Sequence, residues 1–173
     1  MLVRQEQPGD VSAVRAVVAA AFAGDDDPDR VPAEVTLVEA LRADAGWLPR
    51  LSLVAVEPAG GAVVGHVACS RGHIDGAPAV GLGPLAVHPD RQRAGVGKAL
   101  MHAVLGAADA LGEPLVALLG DPGYYGRYGF RISTEYGIAP PDPRWGKYFQ
   151  IRTLTEYRPL TGTFHYAEPF DRL

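Results

Sequence analysis

The sequence predicts an α/β fold built on a mixed sheet. Short runs rich in valine and alanine recur along it, bounded by Gly and Pro turns, as strands are. Elsewhere apolar residues return at three- and four-residue steps, as on helices that cover a sheet. Between Leu82 and Leu111 a strand runs through a charged, glycine-bearing turn into the most regular of those helices.

Bulk properties fit a globular chain. At 173 residues, a single domain spanning 1–173 is expected, and a chain of this size buries roughly 70% of its unfolded surface without staples. The hydrophobic share of 47% is that of a packed protein. A net charge of −4 argues against a general nucleic-acid binder and mildly favours a cationic partner. The sole cysteine, Cys69, excludes an intramolecular disulfide and a cysteine zinc cluster. The five histidines, at 66, 73, 88, 102 and 165, show no ligand spacing, so no metal is expected. The stretch MLVRQEQPGD has no apolar signal core, and no run is long enough to span a bilayer. A cytoplasmic protein with no membrane partner is the expectation.

Leu2 to Glu6 reads as a first strand. Pro8-Gly9-Asp10 turns the chain, with Asp10 as helix N-cap. Val11, Val14, Val18, Ala21 and Phe22 share one face and predict a helix over 11–22. An acidic loop, Gly24-Asp25-Asp26-Asp27-Pro28-Asp29, follows; it is either a solvated turn or a collar for a positively charged amine. A second helix is predicted over 33–42, with Leu37, Val38 and Leu41 on its apolar face. At 100° per residue, Glu34 falls in the middle of that face. An inward carboxylate needs a partner or a task, although in a first turn it also favours the helix dipole.

Leu51 to Glu57 and Ala62 to Arg71 read as strands joined by Pro58-Ala59-Gly60-Gly61. His66 and Cys69 fall within the second and read as packed sheet residues. Asp75-Gly76 turns the chain into a fourth strand over 79–87. That strand holds Gly81, Gly83 and Pro84, which do not suit a central strand. Such a conflict marks a bulge or splay, which would free the N–H groups of Leu85, Ala86 and Val87. In the next helix, Val96, Ala99, Leu100, Ala103, Val104, Ala107, Ala108 and Leu111 form one stripe, with Lys98 and His102 off it. Gly112-Glu113-Pro114 ends it, and Leu115 to Leu119 reads as a buried fifth strand. Farther on, Pro140 to Pro143 reads as a loop, Tyr148 to Leu154 as a strand and Thr163 to Tyr166 as a last short strand.

The turn before the long helix decides the chemistry. A strand feeding glycines at a helix start presents free N–H groups and the positive end of the dipole to an anion. A Walker loop would need glycine and Ser/Thr where Gln92 and Ala99 stand, and a dinucleotide fingerprint would need glycine at Leu100. The pattern that fits is Q/R-x-x-G-x-G/A, read as Gln92, Gly95 and Gly97. Together with Leu85-Ala86-Val87-His88-Pro89, it resembles the acetyl-coenzyme A loop of the GNAT superfamily of N-acetyltransferases. A second stretch, Gly120-Asp121-Pro122-Gly123-Tyr124-Tyr125-Gly126-Arg127-Tyr128-Gly129-Phe130, resembles the family's aromatic-tyrosine segment.

The resemblance implies a mostly antiparallel sheet of six to seven strands, splayed between the fourth and fifth and flanked by about four helices. It implies acetyl-CoA as co-substrate, entering that gap. Amides from Gln92 through Arg93, Ala94, Gly95, Val96, Gly97 and Lys98 to Ala99 would take the pyrophosphate, with Arg93, Lys98 and Arg127 offering charge. A free N–H at Leu85 or Ala86 would meet the growing oxyanion; Pro84 cannot donate. Tyr125 matches the tyrosine facing the sulfur and is the expected general acid, with Tyr124 and Tyr128 at flanking positions. For the base, Glu34, an acidic-loop aspartate and ordered water all stay open. The acceptor is an amine of a small molecule or protein, in a ternary complex, and a homodimer is compatible. The rival readings are a non-catalytic acyl-CoA-binding module and a nucleotide-binding domain of another class.

Overall fold

The computed structural model describes residues 1–24, 30–58 and 61–173. Its elements are β1 (Leu2–Gln5), α1 (Val11–Phe22), α2 (Ala33–Ala43), β2 (Trp47–Val56), β3 (Val63–Ile74), β4 (Ala77–Val87), α3 (Val96–Ala110), β5 (Leu115–Leu119) and α4 (Pro122–Tyr125). Four strands follow: β6 (Arg131–Ile132), β7 (Ile138–Ala139), β8 (Phe149–Thr153) and β9 (Gly162–His165). The main path of the sheet runs β1-β2-β3-β4-β5-β8-β6, with β9 bridging β3 and β7. The β4–β5 and β7–β9 pairs are parallel, and the others antiparallel.

Side chains alternate along the strands and so build two cores. Leu51, Leu53 and Ala55 face the apolar stripe of α3, Val96, Leu100 and Val104 among it. Val54 and Val56 point the other way, onto Val14, Val17 and Val18 of α1 and Val35 and Val38 of α2. The helices thus clamp β2, β3 and β4 from opposite faces. That leaves the far half of the β4–β5 seam as the place where the sheet can open.

It does open there. β4 and β5 pair only at Val80–Val116 and Gly81–Ala117. Beyond those two rungs β4 continues along β3 to Val87, while β5 turns its other edge to β8. The sequence conflict at Gly81, Gly83 and Pro84 has two physical causes. Cys69 and Val67 of β3 are two residues apart, but their partners Leu82 and Leu85 are three apart, so β4 carries an extra residue at 83–84. A Cβ at Gly81 would lie 2.5 Å from the Tyr166 ring, so glycine is needed for that ring to lie on the strand.

Several local expectations change. Among the described residues the sheet has nine strands, because β6 and β7 are two-residue strands with no readable alternation. β2 begins at Trp47 rather than Leu51, with a register break between Trp47 and Ser52 that accommodates Pro49. Asp10 sits at the N-cap position of α1 but does not cap it with its side chain. Arg4 holds that carboxylate at 2.6 and 2.9 Å, and the Gln7 N–H donates to it at 2.8 Å. The acidic run 25–29 and residues 59–60 of the hairpin turn lie outside the described residues.

His66 is fully buried on β3. Its Nε2 lies 3.0 Å from Ser52 Oγ and 3.2 Å from the Glu6 carboxylate, which also accepts from Ser52 and from Arg42. Burial opposes ionisation of Glu6, but the hydrogen bonds from His66 and Ser52 and the charge of Arg42 outweigh it, holding the carboxyl at about 2. Burial lowers the His66 pKa, against the opposing pull of the Glu6 carboxylate. Cys69 is fully buried, and burial pushes its thiol up, away from nucleophilic chemistry.

Candidate active site

The site starts at the helix turn. Gly95 caps α3 in the left-handed region, at φ +84°, a conformation glycine adopts without penalty. The Gln92 N–H is bonded to Pro89 O and the Ala99 N–H to Gly95 O. The amides between them, from Arg93 through Ala94, Gly95 and Val96 to Gly97 and Lys98, lead into the first turn, where helical N–H groups have no intrahelical acceptor. Val96 is buried in the core and fixes the turn, whereas Gln92, Arg93, Ala94 and Lys98 are exposed. Gln92 reaches back to Val87 O at 3.4 Å. The groove over this turn encloses about 330 Å³ and is lined by Val87, Gln92, Arg93, Gly97 and Tyr124, among others. Arg127 stands 5.0 Å over the Tyr124 ring, beside the groove.

The groove continues into the gap. His88 N–H bonds to Val64 O on β3. Successive N–H groups of a strand point to opposite edges, so Ala86 N–H also faces β3. Leu85 and Val87 N–H face the unpaired edge. Of the two candidate donors following Pro84, the sheet leaves Leu85 open and turns Ala86 inward.

Across the gap lie the tyrosines of α4 and the segment after it. Asp121 caps α4, accepting the Gly123 N–H at 2.9 Å. The Tyr125 ring packs edge-on against Tyr124 at 4.8 Å and Phe130 at 6.0 Å, lying against Gly120. Its hydroxyl is pushed up to about 12, by burial first and then by Tyr128 nearby, so the phenol keeps its proton at neutral pH. Tyr128 is buried and donates to Tyr124 Oη at 3.4 Å; burial and that contact raise the Tyr124 pKa as well.

Tyr125 and Leu85 also line a cavity of about 420 Å³ at the inner end of the gap. Phe22 and Leu85 border both spaces, joining cavity and groove into one channel. Glu34 lines the cavity too, as the apolar-face reading of α2 expects. Trp145, Tyr166 and Phe170 were not expected there. They come from the turn-rich tail, where no periodicity marks them; the one available signal was Gly81, whose missing side chain makes room for Tyr166. Among the described residues no cluster of three or more His, Cys, Asp or Glu is placed to hold a metal ion. No helix among them is long and apolar enough to cross a membrane.

Comparison with known proteins agrees with this geometry. Residues 49–132 match the family model described as an acetyltransferase (GNAT) domain. The chain is 33% identical to the N-acetyltransferase YhbS of Escherichia coli (strain K12), over 99% of both proteins. The chain belongs to the GNAT superfamily of N-acetyltransferases. Its fold matches the crystal structure of the E. coli GNAT family member YhbS in complex with CoA, with a TM-score of 0.88 at 31% identity, covering 99% of this chain and 92% of that one. A GNAT family acetyltransferase from Brucella melitensis in complex with acetyl-CoA gives 0.78 at 35% identity, covering 98% and 97%. As a GNAT enzyme, the chain keeps the parted sheet and glycine turn together, and its own tail residues build the cavity wall.

Proposed function

We propose that this protein moves an acetyl group from acetyl-CoA to a primary amine by direct attack in a ternary complex, within one catalytic unit spanning residues 1–173. The carrying observation is the seam that stops after two rungs, exposing the Leu85 and Val87 amides beside the open start of α3. The CoA and acetyl-CoA complexes of the two structural relatives support the same reading.

Amides from Arg93 to Lys98 grip the pyrophosphate, with Arg93, Lys98 and Arg127 supplying charge. The Val87 N–H holds the pantetheine arm, and Leu85 N–H points at the thioester oxygen, where negative charge develops. Tyr124 walls the arm with the buried Tyr128 hydrogen-bonded behind it, and the buried Ala86 keeps that stretch of β4 on β3. The amine nitrogen attacks the carbonyl carbon, so a C–N bond forms as the C–S bond breaks. The amine proton passes to Glu34 or to water. The departing sulfur takes a proton from Tyr125, which solvent restores. Holding both reactants in line supplies much of the acceleration. The cytoplasm is the proposed compartment.

The test is CoA release followed with a thiol reagent across a panel of amines. Release that needs both acetyl-CoA and amine, with acetylated amine found by mass spectrometry, is the expected result. Tight acetyl-CoA binding with no release for any amine would make the protein a binding module.

A further inference from the structure

The cavity at the inner end of the gap has an uneven lining. Glu34 is its one charged side chain among the described residues. Phe22, Leu37, Trp145, Tyr166 and Phe170 form most of the remaining wall opposite β4 and β5. Three of them pack as a continuous array: Tyr166 stacks on Phe170 at 4.4 Å, and Trp145 meets Tyr166 edge-on at 6.3 Å.

From this we infer the acceptor class: a small molecule with a single primary amine on an apolar, aromatic body, its nitrogen at Glu34 and its ring against Trp145 and Phe170. The inference rests on the acetyl-transfer reading above and narrows it. A largely apolar lining tolerates one ammonium beside one carboxylate. Further cations on a polyamine or an aminoglycoside find no second carboxylate side chain among the described lining residues. Aromatic faces favour a flat ring and also attract the ammonium as it enters. A lysine side chain on a protein offers only a thin, linear stem, which meets little of the aromatic wall. The cavity of about 420 Å³, which the acetyl end of the donor shares, falls at the small-ligand end of binding sites, which run from roughly 300 to 1,000 Å³.

The experiment compares kcat/KM for 2-phenylethylamine, spermidine and α-N-acetyl-lysine at fixed acetyl-CoA, with acetyl-CoA binding measured in parallel by calorimetry. Phenylethylamine is expected to lead both others by at least about tenfold. Phe170→Ala is expected to cut that lead by about tenfold, with acetyl-CoA binding by calorimetry read alongside as the check on folding. Phe170→Leu, which keeps the wall closed, guards against misfolding and is expected to fall between. Equal rates, or a lead for spermidine or the blocked lysine, overturn the acceptor class and leave acetyl transfer standing. Release with none of the three overturns the class as well, and the calorimetric titration then shows whether cofactor binding fails with it.

Discussion

Replacing Tyr125 by phenylalanine removes one oxygen and leaves the ring. The ring carries the structural contacts, against Tyr124 at 4.8 Å and Phe130 at 6.0 Å, so stability should change by no more than about 0.5 kcal/mol. The hydroxyl carries the chemistry. Burial holds it at about 12, so at pH 8 only about 1 in 10,000 molecules has lost that proton. A positioned acid of this kind contributes about 10²- to 10⁴-fold to the rate, or roughly 3–5 kcal/mol of barrier. Tyr125→Phe should therefore lower kcat by at least about 100-fold with KM for acetyl-CoA within about threefold, and by the same factor from pH 6 to pH 9. Thiol-release kinetics across that range measure all three quantities. A kcat within about threefold of the parent, or a KM rising in step with the lost rate, would refute the acid role.

Two further outcomes follow from the geometry. Gly95→Glu places a like charge in the phosphate turn and a side chain at φ +84°; calorimetry should find acetyl-CoA affinity reduced by at least about 100-fold. Glu6→Gln removes the carboxylate that Arg42, Ser52 and His66 surround. A carboxyl held at about 2 instead of 4.5 contributes stability above pH 4.5 that is lost as pH falls towards 2. After solvent screening it is on the order of 2 kcal/mol. Thermal melts should place the variant roughly 4–8 °C lower at pH 7. The gap should narrow below pH 4.5 and close towards pH 2; an unchanged gap at pH 3 would contradict the assignment.

The elements most legible in the sequence are those whose periodicity is complete. The valines and alanines of α1 placed it at 11–22, and the apolar run 115–119 is β5 in full. The glycine spacing 92–97 located the helix start, and the clash of Gly81, Gly83 and Pro84 with strand propensity located the bulge. Both are local signals. What was not legible depends on distant segments meeting. Asp10 has a cap residue's chemistry, yet Arg4 offers it a bidentate ion pair and takes its side chain. Which of Leu85 and Ala86 faces the gap depends on pairing register with β3, not on residue type. Trp145, Tyr166 and Phe170 line one cavity with Glu34 and come from a tail whose strands are two to five residues long, too short for any period to declare itself.

Residue-resolved amide exchange by ¹⁵N NMR, with and without saturating acetyl-CoA, goes to the heart of the account. Leu85 and Val87 should exchange at least about tenfold more slowly when the co-substrate is present, because it supplies the acceptors their edge of β4 lacks. Ala86, already bonded across to β3, should hardly move. If Leu85 and Val87 exchange at the same rate in both samples, the open seam between β4 and β5 is not where the acetyl donor binds.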